Sequence, residues 1–309
     1  MVDIASIGST AAHIIILMGV GFVCGKSGLF TKEVQKKLTD VVLFVFLPCT
    51  IISSFEIHMK NGQLLSFGIT FLTAAVLQAF IQIFSYALYR KESYDRKAVL
   101  RYATTVCNSG FFGMSILAAL YGQEALSYGA IFLIPQRITM WTFSMSYFTK
   151  EKENPAIAAL KAMGNPNMIA VYIGLVLLLV KIEIPTALSL PIDSFSACTL
   201  PITMVLCGSI LLELRKDMLK DKTVYFFCFI RLIFIPGIAF AACLLADIPR
   251  NIAEIAVLMT GMPAGATSGL LAIKYNGDEK LASTIIAITT ILFIAMIPFW
   301  LFVAFPLFG

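Results

Sequence analysis

The chain has 309 residues, of which 59% are apolar and 13% charged. Soluble domains run about 45–50% apolar and about 25% charged, so the composition argues against a soluble enzyme, a disordered regulator and a secreted disulfide scaffold. The net charge of +5 comes from 23 Lys and Arg against 18 Asp and Glu, and its placement points to membrane topology rather than to a nucleic-acid partner.

A membrane helix needs about 20 mostly apolar residues to cross about 30 Å of hydrocarbon. Ten such runs follow one another, at roughly 8–28, 38–57, 64–89, 99–121, 126–148, 166–181, 188–214, 223–246, 251–273 and 281–307. No Lys or Arg precedes the first, so it reads as a retained span rather than a cleaved signal. Basic residues then fix the orientation. Eighteen lie in alternate connections, among them Lys26–Lys37, Arg90–Arg101, Lys150–Lys161, Arg215–Lys222 and Lys274–Lys280, whereas the opposite set holds only Lys60, Lys181 and Arg250. Ten spans with both termini outside, in the plasma (inner) membrane, satisfy that imbalance. The seven cysteines form no C-x-x-C pair, and His13 and His58 have no ligand spacing around them. They predict no metal and no cofactor.

The two halves match. At an offset of about 153, Gly21 falls on Gly174, Asp40 on Asp193, and Leu47-Pro48-Cys49-Thr50 on Leu200-Pro201-Ile202-Thr203. At 155, Asn108-Ser109-Gly110 meets Pro263-Ala264-Gly265, and Glu124 meets Glu279. Five spans per half is an odd number, so the halves enter the membrane inverted. Domain boundaries follow: a first repeat over 1–150, a short cytoplasmic linker over 151–165 and a second repeat over 166–309. Inverted repeats with broken helices are the architecture of many secondary transporters, which bind substrate near the midplane at the breaks. Such clusters stand in spans four (Cys107 to Gly113) and nine (Thr260 to Ser268), where Gly and Pro weaken the helical ladder.

The stretches Leu160-Lys161-Ala162-Met163-Gly164-Asn165-Pro166-Asn167, Cys107-Asn108-Ser109-Gly110-Phe111-Phe112-Gly113, Gly261-Met262-Pro263-Ala264-Gly265 and Tyr275-Asn276-Gly277-Asp278 resemble those of the auxin efflux carrier family. The resemblance covers essentially the whole chain. It implies an all-α polytopic membrane fold: ten transmembrane helices in two inverted five-helix repeats. Helices 1, 2, 6 and 7 would form a scaffold and helices 3–5 and 8–10 a moving transport domain, with helices 4 and 9 broken and crossing. A remoter likeness is to the sodium–bile acid symporter fold. The short connection between spans five and six resembles the prokaryotic type, which implies malate, malonate or related carboxylates as substrates, with auxin itself not assumed.

Two cations, Arg137 and Arg231, lie about ten residues into their spans, with no Asp or Glu comparably deep. Arginine at a helix centre costs about 2.5–3.5 kcal/mol on insertion, so each requires a reason. An anionic substrate would supply one, and helix C-terminal carbonyls would supply another. The resemblance places Gln136 near substrate on the fifth helix and Asn108 at the fourth-helix break. Gly110, Pro263, Ala264 and Gly265 complete the breaks, Ser109, Thr267 and Ser268 could add hydroxyls, and Pro48, Thr50, Pro201 and Thr203 are expected to bend the scaffold helices that face the site. The expected function is alternating-access, elevator-like transport of a carboxylate through a membrane-embedded, non-enzymatic protein. Coupling to a proton or sodium, and a homodimer, both stay open. The competing reading is a sensor or receptor of the same fold that binds ligand without flux.

Overall fold

The computed structural model describes residues 4–53, 55, 64–148, 164, 166–180, 182, 184–210, 212, 220–275 and 277–308. Apart from Gly164, the expected 151–165 linker lies outside them, as do Lys60, Lys181, Lys150, Lys152, Lys161, Arg215 and Lys216. Among the described residues every regular element is helical. In chain order these are α1 (Ile4–Lys26), α2 (Lys32–Val41, continued through Val42–Phe46 and Leu47–Ser53), α3 (Leu64–Ala87), α4 (Tyr94–Thr105) and α5 (Met114–Tyr121, entered through Ser109–Gly113). Then come α6 (Gln123–Thr139, continued to Tyr147), α7 (Pro166–Val180), α8 (Thr186–Ile210) and α9 (Lys222–Phe229, continued through Ile230–Phe234 and Ile235–Leu245). The last are α10 (Arg250–Thr260), α11 (Thr267–Lys274) and α12 (Glu279–Phe299, continued to Leu307).

Three continuous helices among the described residues are long and apolar enough to cross a membrane: Leu64–Ala87, Thr186–Leu206 and Lys222–Leu245. Glu279–Phe293 and Ala295–Leu307, bent by 42° at their junction, are long and apolar enough only when taken together, as one bent span or a re-entrant pair. The other apolar runs are interrupted or shorter, and the interruptions have local causes. In α2 and α9 a π turn ends two residues before a proline, at Val42–Phe46 before Pro48 and at Ile230–Phe234 before Pro236. Proline has no N–H to donate, and its ring presses on the carbonyl four residues back. The preceding turn relaxes into a wider i→i−5 pattern, with Leu47 N–H donating to Val42 O and Ile235 N–H to Ile230 O.

The helices sort by packing. α1 lies along α8, and the end of α2 packs on both α7 and α8. α3 lies along α6, α5 on α6, α9 on α10 and α11 on α12. The α1–α8 contact requires glycine: a Cβ on Gly21 would sit 1.9 Å from Val205 O, and one on Gly208 would sit 1.9 Å from Met18 O. At the other face of the molecule one arginine joins three helix starts. Arg96 donates from Nε to Glu92 (2.7 Å) and from Nη2 to Asp221 (2.5 Å), and lies 3.6 Å from Asp278. Asp221 and Asp278 are the N-caps of α9 and α12, accepting from the Thr223 and Leu281 amides.

Candidate functional site

The site is built where two helices stop. α4 ends at Thr105, leaving Val106 extended at φ −119°, ψ 109°, and α10 ends at Thr260, with no helix until Thr267. The two non-helical segments pair with each other. Cys107 and Ala264 form an antiparallel bridge, with Asn108 N–H donating to Pro263 O (2.9 Å) and Gly265 N–H to Val106 O (3.2 Å). The Ala264 N–H donates to Thr289 Oγ1 of α12 at 3.1 Å. The backbone groups freed by one break are thus met largely by the other, as an apolar interior requires.

The carbonyls that close α4 and α10 are met by Arg231. It is 1% exposed, and the wide turn Ile230–Phe234 carries it. Its Nε donates to Met262 O (2.9 Å), its Nη1 to Thr104 O (2.8 Å) and its Nη2 to Thr260 O. Gln78 of α3 meets a further carbonyl at the end of α4, its Nε2 donating to Thr105 O at 3.1 Å.

Beside the bridge lies a cavity of about 50 Å³, room for about three to five waters at 10–15 Å³ each. Its polar lining is Asn108, Gln136, Arg137 and Thr267, with Cys107, Gly110 and Gly265 at the breaks; its apolar wall is Leu47 and Ile51 of α2, Leu133 and Met140 of α6 and its continuation, and Trp141. Arg137 is 7% exposed and has no hydrogen-bond or ion-pair partner among the described residues, and the same holds for the Asn108 side chain at 6%. The Arg137 Nη2 lies 3.9 Å from the position of a Cβ on Gly110. Thr267 Oγ1 accepts from Tyr102 Oη at 3.1 Å, which leaves its own proton for a cavity ligand. The helical segments opening at Ser109 and Thr267 begin at this cavity, so their positive ends add to the guanidinium. A buried cation without a partner is costly, and an anion is the group that would complete it.

Several expected site residues are turned elsewhere. Arg231 does not line the cavity; carbonyls hold all three of its nitrogens. Gln136 lines it, but its amide is committed, Nε2 to Cys107 O (3.0 Å) and Oε1 to Ser109 Oγ (2.6 Å). Ser109 is spent on that bond, and Ser268 Oγ donates to Gly265 O at 2.7 Å. Pro263 and Ala264 contribute backbone to the bridge rather than cavity wall. The scaffold prolines fall at two kinds of place. α8 runs as one α-helix through Pro191 and Pro201, and in α2 the irregular turn precedes Pro48. Thr50 shares a 2.7 Å hydrogen bond with Thr199 of α8, and the Thr203 hydroxyl is buried without a partner among the described residues. Sequence reasoning missed the wall residues Leu47, Ile51, Leu133, Met140 and Trp141, which carry no signal inside apolar runs. It also missed Gln78, Tyr102 and Thr289, polar residues spaced like ordinary interhelical bonds.

Helices long and apolar enough to cross a membrane, with two helix ends joined through the Cys107–Ala264 bridge, point to an integral membrane protein. A family model described as membrane transport protein matches residues 7–159 and 155–301. The chain therefore belongs to that family, the auxin efflux carrier and membrane transport family. It is 24% identical over 300 residues to the uncharacterized transporter MJ1031 of Methanocaldococcus jannaschii, covering 93% of this chain and 95% of that one. It is 21% identical over 304 residues to the uncharacterized transporter YfdV of Escherichia coli K12, covering 94% and 95%. A transporter of Methanothermobacter thermautotrophicus is 24% identical over 300 residues, covering 94% and 96%.

Proposed function

We propose that this protein is a secondary transporter of an organic carboxylate, working by alternating access with its site at the paired helix breaks. The observation that carries the reading is Arg137: a buried guanidinium without a partner among the described residues, lining a cavity that also holds the Asn108 amide, likewise unpartnered among them. Arg231 is fully occupied, so the cavity offers one free cation among the described residues. Its wall is otherwise apolar. A single carboxylate on an apolar body suits that lining better than a malate-like dianion.

The ten-span reading, with α4–α5 and α10–α11 each a single broken span, draws support from the element lengths. α4 and α10 end at Thr105 and Thr260, 155 residues apart, and α5 and α11 are both eight residues long and start 153 apart. α6 and α12 finish alike, each with a five-residue π turn and then a three-residue 3₁₀ turn. Packing supports the division of labour. α1, α2, α7 and α8 form the static scaffold, and α3–α6 with α9–α12 carry the breaks. The cavity lies between the groups, since Leu47 and Ile51 are its scaffold wall. Separation of this α2 wall from the breaks is the movement proposed to admit and release the acid.

The test is the unfolding midpoint of the purified protein against mono- and dicarboxylates, followed by liposome flux with the best ligand. Saturating ligand stabilises by RT ln(1 + [L]/Kd), about 2.7 kcal/mol at a hundredfold excess over Kd. A shift with monocarboxylates that is absent in Arg137→Gln, together with flux, is the expected result. Shifts with neutral or cationic compounds alone would falsify the carboxylate reading, and binding without flux would replace the carrier by a receptor.

A further inference from the structure

Both α4 and α10 direct their C-termini at the same point, where the Thr104, Thr260 and Met262 carbonyls converge on one guanidinium. A helix C-terminus carries about −0.5 of an elementary charge. Two such ends sum to about −1 in a site where Arg231 is 1% exposed, so solvent screens them weakly. Oxygen ligands converging from two broken helices, with net negative potential, are what a hard cation such as an alkali ion binds. Here a side chain of the protein fills the place, and its charge of +1 matches the sum of the two helix ends.

We propose that Arg231 is a resident counter-cation: it occupies the carbonyl cage between the two breaks, so that neither the fold nor the anion site requires a bound alkali cation there. The geometry is specific to a guanidinium. Three nitrogens in one plane reach carbonyls on the last turn of α4, on the last residue of α10 and two residues beyond it. The cage also holds the two breaks in register, since the carbonyl of Thr104 precedes the extended Val106 and that of Met262 precedes Pro263, whose carbonyl accepts from Asn108. Arg231 is therefore a positioning residue for Asn108. The consequence for transport rests on the carrier reading above; the consequence for binding and stability does not.

The experiment uses the full-length protein in detergent. The wild-type unfolding midpoint should be the same in sodium, potassium and choline chloride at equal ionic strength. Arg231→Ala should lower the midpoint, and guanidinium chloride added well below denaturing concentration should raise it again, with urea at the same concentration giving no recovery. Arg231→Lys keeps the charge without the planar fork and should show a smaller loss with a smaller guanidinium response, which covers the case in which the alanine variant does not fold. A wild-type midpoint that rises in sodium over choline overturns the proposal. So does a folded Arg231 variant whose midpoint ignores guanidinium. Carboxylate shifts are read separately, so guanidinium recovery without any carboxylate shift would leave this inference standing and remove the substrate assignment.

Discussion

The Nη2 of Arg137 lies 3.9 Å from where a Cβ on Gly110 would stand, and beyond the glycine's own helix no other described atom comes within 4 Å of that point. The glycine therefore leaves open space directly beside the one unpartnered guanidinium of the cavity. The first two predictions concern these two positions.

Arg137→Gln removes a buried charge that no described group compensates. Carboxylate affinity is expected to fall by about 1.5–3 kcal/mol, roughly ten- to hundredfold, as for loss of a charge-assisted hydrogen bond. The ligand-free protein should be as stable as the wild type or more so, because an unpaired buried charge opposes folding. Isothermal titration and thermal unfolding measure the two effects separately, and a large drop in ligand-free stability would show that Arg137 is structural.

Gly110→Ala places a methyl at ordinary contact distance from that guanidinium without displacing backbone. Stability should stay the same or rise by up to about 1 kcal/mol, since alanine is the better helix residue. Affinity should fall, and more steeply for bulkier carboxylates than for acetate-sized ones. A size series of monocarboxylates on the variant checks this; equal losses across the series would place the ligand away from Gly110.

Gly208→Leu should separate α1 from α8. Its Cβ would meet the Met18 carbonyl oxygen at 1.9 Å, and backbone cannot rotate away as a side chain does. A loss of about 1–3 kcal/mol or more is expected. The matching change Gly19→Leu is the control, because nothing lies within 4 Å of its Cβ position.

The Arg96 cluster predicts a pH dependence on the acid side. Partial burial pushes the Asp221 carboxyl up, but the Thr223 amide and the Arg96 guanidinium outweigh it and hold the group below its ordinary value of 3.8. A carboxyl whose native value is depressed contributes stability that is present above the ordinary value and lost as pH falls through the native one. Glu92 and Asp278 face the same arginine. Asp221→Asn should flatten the decline of unfolding midpoint below about pH 4 relative to wild type, and an unchanged decline would assign it to other carboxylates.

The breaks themselves were legible in the sequence. Cys107 to Gly113 gathers Asn, Ser and two glycines, Gly261 to Gly265 brackets a proline with glycines, and α4 and α10 stop beside them at Thr105 and Thr260. The pairing of the breaks was not legible, because a bridge between Cys107 and Ala264 depends on a tertiary approach across 157 residues. Arg137 and Arg231 could not be told apart for the same reason. Both are lone cations in apolar helices, and what separates them is a set of carbonyls from Thr104, Thr260 and Met262 that no local pattern announces. Pro201 stands inside α8, which stays helical through it while packing against α1 and the end of α2.

The unpartnered state of Arg137 has an electrical consequence. Under the proposed movement, an empty site carries +1 across the bilayer, whereas a site loaded with a monoanion carries none. Voltage then acts on the return of the empty carrier and leaves the loaded step alone. The work is about 2.3 kcal/mol per 100 mV for a charge crossing the whole field. With the cell interior negative, the empty site is drawn to the cytoplasmic side and presented to the next anion there. Exchange of one anion for another would be indifferent to potential, and net export would be driven by it.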